Sequence, residues 1–284
     1  MTARPRRSAL YMPASNARAV DKARSLACDV VILDLEDAVA PDAKEVARSQ
    51  AIDAVRAGGF GRREVVVRIN GLDTPWGPAD LAAAAAAVPD AILVPKISGP
   101  ADLVAYDRAL QGGTRLWAMM ETCAAIFALD ALAGAGGRLE ALVVGGNDLA
   151  KEMRCRPGVE RQPLLGALGL TVAAARAHGL AVIDGVFNEI DDAEGFARQC
   201  AQGAAFGFDG KSLIHPSQVD AANAAFSPDP AEVAWARTIA EAFDSPENAG
   251  KGVLRVDGKM VELLHLDQAR RLIAVAETIA GDPA

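Results

Sequence analysis

Residues 30–36, VVILDLE, and residues 141–148, ALVVGGND, each carry four apolar side chains in succession and then turn polar. A strand with one wet face would alternate apolar and polar positions. A parallel strand covered on both faces has no solvent side and reads as an unbroken apolar run. Six further runs have a comparable make-up: Ser8–Pro13, Glu64–Asn70, Ala91–Ile97, Arg115–Thr122, Ala181–Val186 and Ala204–Gly210. Between the runs lie stretches with helix punctuation. Pro100 suits a first turn, Gly58, Gly112 and Gly136 suit helix ends, and Ala82–Ala87 consists of the best helix former. Eight strands alternating with helices predict an α/β fold, a (β/α)8 TIM barrel. A doubly wound open sheet would alternate in the same way, but no GxGxxG follows an early strand.

A chain of 284 residues accommodates one barrel of about 250 residues and a tail. The barrel is expected over residues 1–226. Residues 227–284 read as a helix, a loop rich in Gly, Pro and Asn, then a turn and a final helix. This C-terminal helical extension has little of its own barrel to cover, so a role as a lid packed on a neighbouring subunit is expected. Charges interrupt every apolar stretch before membrane-spanning length, and the apolar run near the N-terminus is too short for an export signal. Cys28, Cys123, Cys155 and Cys200 form no CxxC pair, which fits a reducing cytoplasm. A net charge of −8 argues against nucleic acid as the main partner.

Active sites of such barrels lie at the C-terminal ends of the strands. There the runs end in Asp34, Glu36 and Asp37, in Arg68 and Asn70, in Lys96, in Glu121, and in Asn147 and Asp148. Glu121 and Asp148 end adjacent strands, and Mg²⁺ takes one or two carboxylates and completes its octahedron with water and substrate, so this pair is the expected metal site. The rival reading is that these carboxylates cap helices or pair with Arg68 and Lys96. Arg68, ending a buried strand, needs an anionic partner, and a substrate carboxylate is preferred over a nearby side chain. A Schiff-base role for Lys96 would require a depressed pKa, which clustered acids oppose. No histidine pair has metal-ligand spacing, His215 reads as structural, and without a GxSxG elbow no Ser/His/Asp hydrolase is expected.

RSALYMPASNARAVDKA, VVILDLEDAVAPDAKEVAR, VVVRINGLDTPWG, ILVPKI, MMET, GGNDLA, GKSLIHPSQV and VDGKMVE follow one another in an order that resembles the citrate lyase β-subunit-like family of the HpcH/HpaI aldolase superfamily, to which malyl-coenzyme A lyases belong. The resemblance runs from about Arg7 to Ile279. It implies a TIM barrel, usually a homotrimer or a dimer of trimers, holding Mg²⁺ (or Mn²⁺) through Glu121 and Asp148. It further implies that Glu36 and Asp37 hydrogen-bond metal-bound waters and that Arg68, with Glu121, contacts an oxo acid. Arg7, Tyr11, Pro13, Asn16 and Lys22 would contact coenzyme A. The family's acid/base residue is an Asp in a DGKMVD-like turn, where this chain has Glu262. Ala14 and Ala125 replace two family glycines, and their methyl groups are expected to narrow the coenzyme pocket.

The activity so implied is an Mg²⁺-dependent retro-Claisen cleavage, or its reversal, of a 3-hydroxyacyl-coenzyme A thioester such as citryl- or malyl-coenzyme A, with Glu262 protonating the acyl-coenzyme A enolate. The alternatives are a coenzyme-free, metal-dependent 2-oxo-acid aldolase, a coenzyme A-binding homologue altered in catalysis at Glu262, and a subunit served by an acyl-carrier partner.

Overall fold

The computed structural model describes residues 4–110 and 112–281. Eight parallel strands close on themselves: β1 (Ser8–Pro13), β2 (Val30–Asp34), β3 (Glu64–Arg68), β4 (Ala91–Val94), β5 (Arg115–Met120), β6 (Leu139–Val144), β7 (Ala181–Asp184) and β8 (Gly210–Leu213). Each pairs in parallel with its neighbour, and β1 pairs with β8 through Ser8–Lys211, Ala9–Ser212 and Leu10–Leu213. Alternate side chains point to opposite faces of a strand. Ala9, Val30, Ile32, Val66, Leu93 and Trp117 therefore meet inside the barrel, while Leu10, Val31, Leu33, Val67 and Ile92 meet the helix layer. Both faces are dry, which is why the runs are unbroken.

The eighth strand is not where its apolar pattern was expected. Residues 204–206 finish the helix Ala193–Phe206, Gly207 caps it with φ of 93°, and the strand is GKSL. Lys211 lies in that strand with no exposure. Its ammonium donates to Asp184 Oδ2 (2.9 Å) and Gln199 Oε1 (3.2 Å), and Arg161 donates to Asp184 Oδ1 (2.6 Å). A buried charge is tolerated only when paired in this way. Burial pushes the Asp184 carboxyl up, but the two cations outweigh it and hold it below the ordinary range.

The N-terminal end of the barrel is plugged. Arg6, almost buried, grips Glu64 through Nε (2.7 Å) and Nη2 (2.8 Å), reaches Glu140 (3.1 Å) and stacks 5.0 Å from the Trp117 ring centroid. That leaves the C-terminal ends as the open side.

Contacts divide the described residues into two compact units, residues 6–226 and residues 227–281 together with residues 4 and 5. The second unit contains the helix Pro230–Asp244, a hairpin of β9 (Val253–Val256) and β10 (Lys259–Glu262), and the helix Leu263–Ala280. The stretch expected to be a simple turn is thus an antiparallel hairpin. Asp257 and Gly258 have φ of 48° and 81°, the left-handed pair that matches strand twist in a two-residue turn. Around it pack Ala236, Ile239, Leu254, Val256, Val261 and Ala269.

Candidate active site at the barrel mouth

The polar strand ends meet around a cavity of about 280 Å³ lined by Tyr11, Asp34, Asp37, Arg68, Met119, Glu121, Asn147, Asp148, Asn188 and Ser212, among others. Arg68 ends β3 beside Asp34, which ends β2, because the two are partners in register. The guanidinium donates from Nε to Asp34 Oδ1 (2.7 Å) and from Nη2 to Oδ2 (2.6 Å), and it lies 4.6 Å from the centroid of the Tyr11 ring. Asp34 is wholly buried and also accepts the N–H groups of Glu36 (2.9 Å) and Ala38 (3.1 Å). Burial alone would lower the Arg68 pKa, but Asp34 and Glu36 outweigh it and hold it well above the ordinary value. Asp34 is thus a standing partner of Arg68, beside the substrate carboxylate expected for it. Asp34 takes one bidentate edge, and Nη1 is left near Glu36 Oε2 (2.9 Å) and Asp37 Oδ2 (3.7 Å).

Glu36 is the electrostatically unusual group. Burial pushes its carboxyl up to about 8, opposed by Arg68 and reinforced by Glu121 and Asp37. Its Oε2 is buried and, despite its closeness to Arg68 Nη1, lies off the N–H direction and makes no hydrogen bond. Glu121, also buried, accepts the Lys96 N–H at 2.7 Å, and burial raises its pKa too. Gly145 lets it fit: a Cβ there would stand 2.4 Å from both Glu121 Cβ and Oε2. Asp148 lies in the first turn of the helix Gly146–Met153.

These acids surround one point. The Lys96 ammonium hydrogen-bonds Asp148 and lies 3.4 Å from Glu121 Oε1 and 4.0 Å from Glu36 Oε1. Burial pulls its pKa down, but the Asp148 bond and the charges of Glu121 and Glu36 outweigh that and raise it, which disfavours a Schiff-base role. Among the described residues no three His, Cys, Asp or Glu side chains form a ready cage. Two carboxylates on an open position, with an orphaned oxygen of Glu36 nearby, are the donor set that suits a hard, partly hydrated cation.

The residues expected to contact coenzyme A separate. Tyr11 lines the cavity, its hydroxyl 3.5 Å from Met119 Sδ. Pro13 ends β1, Asn16 caps the helix Ala17–Ala23 by accepting the Ala19 N–H (3.1 Å), and Lys22 is exposed on that helix. Arg7 precedes β1 and is therefore at the opposite end, roughly 20 Å from the mouth at strand rise. There it is bound to Asp29 through Nε and Nη2, both at 2.8 Å. Ala14 and Ala125 are fully buried in the layer between strands and helices, so their methyl groups do not narrow the cavity. Asn70 belongs to a structural knot, donating to Asp80 (2.6 Å) and accepting from Lys44 (2.8 Å). The ring of His215 bonds Ser217 Oγ at 2.7 Å in a local turn, in keeping with its structural reading. Glu262 ends β10 in the second unit, half-buried, its N–H donating to His265 Nδ1 at 3.0 Å.

Three features of the mouth escaped the sequence reading: the Asp34 clamp, the space at Gly145, and a reciprocal amide pair. In that pair Asn147 Nδ2 donates to Asn188 Oδ1 (3.1 Å) and Asn188 Nδ2 to Asn147 Oδ1 (2.9 Å). Asn188 follows a strand whose apolar run ends two residues earlier, so only the position of that strand's end could have pointed to it.

Residues 7–216 match the family described as HpcH/HpaI aldolase/citrate lyase. A (3S)-malyl-CoA thioesterase of Cereibacter sphaeroides is 50% identical over 279 residues, covering 98% of this chain and 97% of that protein. An L-malyl-CoA/β-methylmalyl-CoA lyase of the same organism is 34% identical over 308 residues, with coverage of 98% and 97%. The crystal structure of protein CitE from Mycobacterium tuberculosis in complex with magnesium, acetoacetate and coenzyme A is similar with a TM-score of 0.78 at 28% identity, covering 96% of this chain and 98% of that one. With its sequence matched over the whole barrel and its fold shared, this chain belongs to the HpcH/HpaI aldolase/citrate lyase family.

Proposed function

We propose that this protein is an Mg²⁺-dependent enzyme acting on a malyl-coenzyme A-type thioester, with hydrolysis to the free hydroxy acid and coenzyme A as its net reaction. The observation that carries the reading is the convergence of Glu36, Glu121 and Asp148 on one cationic position beside Arg68, with the Glu36 carboxyl near 8. The 50% identity to a thioesterase, against 34% to a lyase, favours hydrolysis over carbon–carbon cleavage. Without a GxSxG elbow no Ser/His/Asp acyl-enzyme is expected, and a directly attacking water is the route we assign.

When bound between Glu121 and Asp148, Mg²⁺ supplies Lewis-acid polarisation and a lowered pKa for water. Arg68, locked by Asp34, presents Nη1 to the substrate's free carboxylate. Glu36, in its deprotonated form, takes a proton from the attacking water as the oxygen–carbonyl bond forms. The carbon–sulfur bond then breaks and the proton passes to the departing thiolate, so water is the only co-reactant. Tyr11, Pro13, Asn16 and Lys22 remain the contacts we assign to the coenzyme, without Arg7.

The second reading, retro-Claisen cleavage with Glu262 as acid, is favoured by the lyase relatives and by the DGKMVE hairpin. It is the reading in which a homotrimer or dimer of trimers, with residues 227–284 packed on a neighbour, delivers Glu262. Four free thiols suit our placement in the cytoplasm.

The two readings give different products. Incubation with malyl-coenzyme A and Mg²⁺ is expected to release a free thiol and malate, abolished by chelator and by Glu121→Ala. Acetyl-coenzyme A and glyoxylate without free thiol would overturn hydrolysis and establish the lyase, and Glu262→Gln should then cripple turnover.

A further inference from the structure

Lys96 stands in an unusual place. Its φ of 54° is left-handed, a conformation that non-glycine residues seldom adopt and that collects at functional sites. The backbone around it is pinned. The Lys96 N–H donates to Glu121 (2.7 Å), the Ile97 carbonyl accepts the Thr122 hydroxyl (2.8 Å), and the Ser98 and Gly99 N–H groups donate to Asp102 (2.8 and 3.1 Å). The side chain is free by comparison, 39% exposed on a flexible four-carbon stem. Only its ammonium enters the cluster of Glu36, Glu121 and Asp148, at the point where the divalent cation of the proposed function would sit.

We propose that Lys96 is the resident counter-ion of this site, a positioning residue whose ammonium holds the three carboxylates together in the metal-free protein and swings out to the rim when a divalent cation enters. The inference rests on the reading of Glu121 and Asp148 as the cation's ligands. The backbone N–H of Lys96 stays on Glu121 throughout, so the ligand keeps its orientation while the charge is exchanged. Like charges gathered within a few ångströms repel strongly in a buried mouth, and a tethered cation relieves this without closing the site. Once displaced, the ammonium becomes a positive charge on the rim where an anionic substrate enters.

The test has two arms. In the first, free Mn²⁺ is followed by electron paramagnetic resonance while wild type, Lys96→Met and Glu121→Gln are titrated. Removing the competitor is expected to tighten Mn²⁺ binding about tenfold, whereas Glu121→Gln should abolish it. In the second, wild-type protein is briefly acylated at its amines with and without saturating Mg²⁺ and read by peptide mass spectrometry. Lys96 labelling is expected to rise several-fold with Mg²⁺ and not in Glu121→Gln. Unchanged or weaker Mn²⁺ binding by Lys96→Met, with Glu121→Gln inactive in binding, overturns the counter-ion while leaving the cation site standing. Failure of wild type to bind Mn²⁺ removes both. If Lys96→Met does not fold, the labelling arm decides, and labelling that stays level or falls with Mg²⁺ refutes the displacement.

Discussion

Gly145→Ala adds one methyl group and tests the geometry of the site directly. Gly145 has φ of −101°, which alanine adopts, so the change brings no left-handed strain. The new Cβ would stand 2.4 Å from Glu121 Cβ and Oε2 and 3.0 Å from Met119 Cε. Reaching an ordinary contact of 3.4 Å requires about 1 Å of movement. Rotating the carboxylate away does not help, because Glu121 Cβ is fixed to the end of β5. Nor can Gly145 retreat freely, because its N–H donates to Met120 O at 3.1 Å. Overpacking of this kind costs about 1–3 kcal/mol of stability, and a ligand misplaced by about 1 Å costs on the order of a hundredfold in activity. Gly146→Ala is the control, since its nearest neighbour is Leu164 Cδ1 at 3.9 Å. Mn²⁺ titration and thermal melting of both variants should show Gly145→Ala weakened in metal binding by ten- to a hundredfold and Gly146→Ala close to wild type. Wild-type metal affinity in Gly145→Ala would refute the placement of Glu121 as a ligand packed against that glycine.

Asp34→Asn leaves Arg68 buried without its bidentate carboxylate and is expected to cost about 3–5 kcal/mol in denaturant unfolding; wild-type stability would show that Glu36 and Asp37 suffice as partners. The chelated protein should respond to pH through Glu36, whose folded pKa of about 8 lies above the ordinary 4.5. The stability tied to it is fully present below about 4.5 and is lost as pH rises through about 8, a few kcal/mol at most. Melting temperatures of wild type and Glu36→Gln, measured with chelator between pH 5 and 9, are expected to converge at the acid end and separate at the alkaline end, and parallel curves would contradict the shift.

The barrel and most of its mouth were legible because strand, polarity and position are local properties. VVILDLE announces both a covered strand and the acids at its end. Where a residue's environment depends on a distant segment, the pattern misled. Lys211 hid a strand because its partner Asp184 is 27 residues earlier, and the alanine-rich end of the preceding helix was the more apolar stretch. The clamp of Asp34 on Arg68 was hidden because the two are 34 residues apart in sequence and adjacent only across the sheet. Arg7 was a basic residue in the right motif, yet a strand has two ends, and it precedes β1. In VDGKMVE the turn was read correctly but not the strands flanking it, which need each other to exist.

The plug of Arg6, Glu64, Glu140 and Trp117, with the side chains packed between the strands above it, closes the foot of the barrel and leaves the mouth as the open face. Chemistry is therefore confined to the rim, and the foot serves only to hold the strands together. The same closure separates two jobs along the barrel axis. Residues at the foot can be exchanged to raise or lower heat resistance while the rim drifts toward new substrates, and neither change has to be compensated at the other end.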